Sequence, residues 1–132
     1  MELTETVVID SDIFIDHLRG FKPAKIFLSP FYEKSLSGLI STITVMELLS
    51  GKSASESDRR LKIEKLLSLF KTVDVTFSIA EKAAEIRRKY STNPIDSLIA
   101  ATALCFNYKL VTCNINHYQM IDGLVLWKPY DK

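Results

Sequence analysis

Asp10, Glu47 and Asp96 are the residues of this 132-residue chain whose type and place suggest chemistry. Asp10 closes the apolar run Val7-Val8-Ile9, while Glu47 and Asp96 each fall in the first turn of an expected helix. Asp12 is close enough to Asp10 to assist it, and Thr112-Cys113-Asn114 offers a hydroxyl and an amide rather than an acid. Three carboxylates drawn together from separated segments repel one another, and such a group is expensive without a hard cation. Oxygen ligands with few imidazoles suit Mg2+ or Mn2+. Each acid also has a purely structural reading. Thr44-Val45-Met46-Glu47 fits a capping box. Asp96, two residues after Pro94, suits the positive end of a helix dipole. Asp10 and Asp12 suit caps or turns.

The elements that must position these residues follow from the pattern. Val7-Val8-Ile9 shows no polar alternation and reads as a strand buried on both faces. Ser11 is expected to cap a helix that carries Ile13, Phe14 and Leu18 and stops at Gly20. Pro23 opens a second helix over 24–28, limited by Pro30. A strand over 39–42 leads to a helix over 45–50 that ends at Gly51, and 52–58 reads as a polar loop. An amphipathic helix follows, with Leu61, Leu66, Leu67 and Leu69 among its apolar positions, then a short strand over 73–75. Ser78 with Glu81 predicts a capping box for a helix over 79–90. After a break at 91–93, Pro94 starts a helix over 95–106. The last strands are expected at 110–112 and, after Gly123, at 125–127. Strands alternate with helices, without repeats or a dividing linker, so the expectation is one domain over 1–132 with a parallel sheet covered by helices. Right-handed crossovers then bring the strand-to-helix junctions to one end of the sheet, where ligands bind.

Composition narrows the setting. A formal net charge of +1 gives no global positive field, although a local basic face remains compatible with nucleic acid. Cys105 and Cys113 read as free thiols in a reducing compartment, and no Cys or His stands at zinc-site spacing. No signal-peptide pattern is seen, and 98–106 is far shorter than the ~20 residues of a membrane helix. The expected location is the cytoplasm, with no membrane partner.

Four stretches resemble the successive signatures of PIN-domain ribonucleases, most of all the small VapC-type toxins of toxin–antitoxin pairs. They are Val8-Ile9-Asp10-Ser11-Asp12-Ile13-Phe14-Ile15-Asp16, Ile43-Thr44-Val45-Met46-Glu47-Leu48-Leu49-Ser50-Gly51, Asp96-Ser97-Leu98-Ile99-Ala100-Ala101-Thr102-Ala103, and Leu110-Val111-Thr112-Cys113-Asn114. The resemblance implies an α/β/α sandwich around a parallel sheet, with Asp10, Glu47 and Asp96 as catalytic acids that hold Mg2+ or Mn2+. Asp12 and Thr112 match supporting polar positions. The implied reaction is metal-assisted hydrolysis of an RNA phosphodiester, leaving a 5′-phosphate. Many members carry a fourth acid after the Thr112 position; here Asn114 and Asn116 occupy that region, which leaves open whether one or two cations bind.

Other residues follow from this frame. Arg87-Arg88-Lys89 and the Arg59, Arg60, Lys62 group read as solvated helix faces, with Arg87 and Arg88 as candidates for gripping RNA phosphates. His117 is a candidate substrate contact, and His17 is expected on the surface. Phe27, Phe31, Tyr32 and Phe70 read as core or interface, and Trp127 as apolar cover for the sheet. Residues 24–32 and 61–70 are more apolar than one small core requires. Under the toxin reading they would form a homodimer and a groove for an antitoxin helix, whose basic side chain would enter the acidic pocket. Three other readings compete: an RNA-processing or quality-control nuclease outside a toxin pair, a D-x-D phosphatase, and an inert binding module. Asp10-Ser11-Asp12-Ile13-Phe14 resembles the start of haloacid-dehalogenase-type phosphatases, but the paired acidic motif is lacking, since Asp122 stands alone. Asn114 is the sole support for an RNA- or protein-binding module.

Overall fold

The computed structural model describes residues 4–52 and 56–132. Its centre is β1 (Thr6–Ile9), in which Val7, Val8 and Ile9 are completely buried. β1 has a parallel neighbour on each side. Val7 stands opposite Gly38 of β2 (Ser37–Ser41), and Ile9 opposite Val111 of β4 (Lys109–Val111). β3 (Lys71–Val73) extends the sheet beyond β2, and β5 (Leu126–Trp127) extends it beyond β4. The order is β3-β2-β1-β4-β5 with every pairing parallel. The chain therefore winds outward from β1 in one direction, returns, and continues from β4 in the other. The turning point lies between β1 and β4, where open parallel sheets form a crevice.

Helices cover both faces. On one, Val7, Ile9, Ile40 and Val111 meet Phe14 of α1 (Ser11–Leu18), Leu28 and Phe31 of α2 (Lys22–Tyr32), Ile63 and Leu66 of α4 (Ser57–Leu67), and Phe70. On the other, Val8, Leu39 and Leu110 meet α5 (Phe77–Tyr90) through Ile79 and Ile86, and α6 (Pro94–Phe106) through Ile99. α3 (Thr42–Leu49) joins β2 to α4, and α7 (Ile115–Tyr118) follows β4. The result is the expected three-layer α/β/α sandwich. The alternation of Val7 and Ile9 with Val8 between the two clusters explains why β1 shows no polar side. Among the described residues no helix is long and apolar enough to cross a membrane.

Several local expectations are corrected. Asp10, not Ser11, caps α1, its carboxylate accepting the Ser11 N–H at 2.8 Å. α2 does not stop before Pro30 but runs to Tyr32 with the proline inside it. A proline there forgoes one backbone bond and crowds the preceding turn. Ring contacts hold the helix regardless: Phe27 against Trp127 at 5.2 Å and Phe31 against Phe70 at 5.2 Å. Tyr32, by contrast, points away from the core and is exposed. β2 starts two residues earlier than expected, β3 lies at Lys71–Val73, and α3 begins at Thr42, where Ser41 accepts the Ile43 N–H at 3.1 Å. Thr76 caps α5 by accepting the Ile79 N–H at 3.2 Å, so the expected Ser78–Glu81 box is replaced by an earlier competitor. In α4 the buried positions are Ile63 and Leu66, whereas Leu61 is half exposed. Of the polar loop expected over 52–58, residues 53–55 lie outside the described residues, and Ser57 already begins α4.

Candidate active site

The carboxyl ends of β1 and β4 place Asp10 beside Thr112. One Asp10 oxygen takes the Ser11 N–H; the other accepts hydroxyl bonds of 3.0 Å from Thr112 and 3.0 Å from Tyr118. Burial, and next the charge of Asp12, push the Asp10 carboxyl up to about 7 in spite of these donors. Asp10 is thus both cap and pocket acid, so its two readings were never exclusive. Asp12, in the first turn of α1, accepts the Cys113 N–H at 2.9 Å with Oδ2, while its Oδ1 is buried without a partner. Burial raises its pKa as well.

Glu47 is the sixth residue of α3, in the second turn rather than the first. The Thr44 capping box does not form: Thr44 is buried inside the helix, and neither its hydroxyl oxygen nor Glu47 Oε1 has a hydrogen-bond partner. The Glu47 carboxyl is raised mainly by burial and further by the charges of Asp96 and Asp12, with the Ser11 hydroxyl working against them. Asp96 enters from the first turn of α6. Its N–H donates to the Asn93 side-chain oxygen at 2.9 Å, and its Oδ2 accepts from Asn93 Nδ2 at 2.7 Å. His117 Nδ1 approaches the same Oδ2 to 3.1 Å, and Tyr118 reaches Oδ1 at 3.1 Å. The helix-start role of Asp96 and its place in the pocket also coincide.

The fold therefore gathers Asp10, Asp12, Glu47, Asp96 and Thr112 at one end of the sheet. Asn114 joins them through its backbone, donating its N–H to the Thr112 hydroxyl at 3.0 Å. Its side chain lines a neighbouring cavity of about 250 Å³ with Cys113, Asn116, His117 and Lys128. Arg87 is engaged elsewhere, its Nε donating to the Thr92 carbonyl at 3.2 Å across the α5–α6 turn. Arg88 lies exposed on α5. Arg59 donates to the Leu18 carbonyl at 2.7 Å and Arg60 to Glu64 at 2.8 Å, so both serve structure. His17 is half buried rather than on the surface, and lines a cavity of about 420 Å³ with Lys25, Tyr32, Lys62 and Lys65. Sequence reasoning missed Tyr118 and Asn93. The signal for Tyr118 was faint: Ile115 and Tyr118 are apolar bodies three apart in an otherwise polar stretch.

The family profile described as PIN domain matches residues 7–122, nearly the whole span from β1 to the segment after α7. This chain is a PIN domain. It is 35% identical over 123 residues to Ribonuclease VapC10 of Mycobacterium tuberculosis, covering 89% of this chain and 90% of the relative. Ribonuclease VapC19 of the same organism is 31% identical over 122 residues, covering 89% and 95%. Among solved structures, a toxin–antitoxin complex from Klebsiella pneumoniae superposes with a TM-score of 0.79 at 27% identity, covering 96% of this chain and 99% of the other.

The donor set of this PIN domain fits a hard divalent cation. Every candidate donor is a carboxylate oxygen, and Asp12 Oδ1 and Glu47 Oε1 are buried without partners, a costly state that a cation would relieve. Among the described residues no three Asp, Glu, His or Cys side chains are already arranged to hold a metal ion. The fit is thus one of donor chemistry. Thr112 supports it from below, donating to Asp10 while accepting from Asn114. Thr112→Val keeps the shape but removes a buried bond to Asp10, and is expected to cost about 1 kcal/mol in urea unfolding.

Proposed function

We propose that this PIN domain is a divalent-cation-dependent endoribonuclease acting as a single domain, with Mg2+ or Mn2+ as cofactor, and the toxin half of a toxin–antitoxin pair. The observation that carries this reading is the convergence of Asp10, Asp12, Glu47 and Asp96, two of them with buried unpartnered oxygens, at the crevice of the parallel sheet. The relatives, VapC ribonucleases, and the toxin–antitoxin complex from Klebsiella pneumoniae support the RNA substrate and the antitoxin partner. A homodimer and a cytoplasmic location belong to the same reading; Ile26, Tyr32 and Leu61, exposed apolar residues on α2 and α4, are its candidate contact surface.

What a bound divalent cation supplies is Lewis acidity, which makes a water nucleophilic near neutral pH and offsets the charge that builds on phosphorus. The protein's own residues set the stage. Asp10, Asp96 and Glu47 would hold the cation, with Asp12 completing the acidic wall. Thr112 keeps Asp10 turned into the pocket, and Asn93 does the same for Asp96. His117, half exposed at the rim and 3.1 Å from Asp96, sits where an entering phosphate would meet a donor. No carboxylate need attack phosphorus.

Cleavage of single-stranded and structured RNAs by the purified protein, titrated with Mg2+ and Mn2+, tests the reading. Cutting should require the cation and vanish in Asp96→Asn. Cutting indifferent to cation and to Asp96→Asn would sink it.

A further inference from the structure

We infer that Tyr118 is the positioning residue of the acidic pocket, its single hydroxyl fixing Asp10 and Asp96 relative to each other in a chain whose loop after β4 brings amides instead of an acid. The inference rests on the cation-binding reading above and adds a residue to it. Tyr118 is the last residue of α7 and is completely buried, its ring packed among the cluster that includes Ile99, Leu110 and Ile121. Packing on all sides leaves the ring few ways to move. Its hydroxyl is therefore held at a set point, 3.0 Å from Asp10 Oδ2 and 3.1 Å from Asp96 Oδ1. Those two carboxylates come from different elements, the start of α1 and the start of α6.

The remaining oxygens of the pair are also committed. Asp10 Oδ1 takes the Ser11 N–H, and Asp96 Oδ2 faces Asn93 and His117. With both ends of each carboxylate held, neither can rotate or splay away from the other. A buried phenol needs only one acceptor to be satisfied. The phenol has one proton to donate, so it bonds one acid at a time with the other within reach of the same oxygen, and contact with two acids still exceeds what burial of the ring requires. It does meet a demand of the pocket: repelling carboxylates must be kept near each other before a cation arrives. Partners of this kind, which orient metal ligands without touching the metal, change affinity about 10-fold to 100-fold when removed.

The test compares Mn2+ binding by calorimetry to the full chain, to Tyr118→Phe and to Tyr130→Phe. Tyr130 serves as the control because its hydroxyl also donates to an aspartate, Asp16, at 2.8 Å, in the second half of α1, whereas Asp10 caps its start. Tyr118→Phe keeps the ring and should bind Mn2+ about tenfold more weakly, whereas Tyr130→Phe should match the wild type. Mn2+ should also perturb tyrosine absorbance in the wild type and in Tyr130→Phe, but not in Tyr118→Phe. A lower melting temperature with unchanged Mn2+ affinity in Tyr118→Phe would make Tyr118 a structural bolt and overturn the inference. If that variant does not fold, the wild-type spectrum decides: Mn2+ binding without tyrosine perturbation overturns it equally. Wild type that binds no Mn2+ would instead remove the cation reading and this inference with it.

Discussion

Asp10→Asn is expected to abolish RNA cleavage and yet make the cation-free protein more stable at neutral pH. The loss of cleavage should reach about three orders of magnitude or more, equivalent to about 4 kcal/mol of barrier, since the substitution removes a negative ligand at the centre of the pocket. The gain in stability follows from burial. Asp10 is 6% exposed, and its carboxyl is raised from 3.8 to about 7, by desolvation first and by Asp12 second. A carboxyl raised in the folded state binds its proton there more tightly than in the unfolded chain. Between pH 3.8 and about 7 the folded form therefore carries the extra proton, and stability falls as pH rises through that window. The full difference is about 4 kcal/mol, lost by the time the pH exceeds the folded value. In chelator, urea midpoints of the wild type should drop from pH 5 to pH 8, while those of Asp10→Asn drop less, the remainder coming from Asp12 and Glu47, whose carboxyls are raised too. Asparagine can still accept the Ser11 N–H, so the cap survives. Adding Mn2+ should restore stability to the wild type and not to the variant. A wild-type profile that is flat in chelator would mean that Asp10 ionises as an ordinary surface acid, and the buried pocket would have to be redrawn.

Gly38→Ala should be the most damaging single methyl group added to the sheet, at about 3 kcal/mol, the upper end for overpacking. A Cβ at Gly38 would come within 2.3 Å of Phe70 Cδ1, 2.7 Å of Cε1 and 3.1 Å of Ile9 Cδ1. The Phe70 ring cannot swing aside cheaply, because it stands 5.1 Å from Phe14 and 5.2 Å from Phe31, ring centre to ring centre. Gly38 also pairs with Val7 on the strand that ends in Asp10, so displacement there is passed toward the pocket. Shrinking the obstacle should give part of the loss back. In a double-mutant cycle, Phe70→Leu should cost less in the Gly38→Ala background than in the wild type, a coupling read from unfolding midpoints. Additive costs would show that the sheet relieves the clash by moving β2 instead.

The sequence by itself determined the sandwich. Val7-Val8-Ile9 could only be a doubly buried strand, and the alternation of strand and helix signals left a parallel sheet with one functional end. Asp10 and Asp96 were legible as acids at that end because one directly follows a strand and the other lies in the first turn of a helix, a local feature, whereas Glu47 stands in the second turn of α3. Other details were not local. Helix starts shifted where Ser41 and Thr76 competed better for the first free amides than the nominal caps did. Pro30 lost to two aromatic contacts made with residues far apart in the chain. Gly38 lay just outside the strand expected over 39–42, and only the proximity of Phe70 shows why no side chain fits. The tertiary structure alone decided that Asp10 is buried enough to hold its proton near neutrality. It alone decided that Arg87 Nε is tied to the Thr92 carbonyl, and that Tyr118, from a four-residue helix with no pattern of its own, lies within reach of two acids. Periodicity reports which side of an element faces inward; it does not report which atoms of distant elements meet there, and the chemistry of this pocket depends on those meetings.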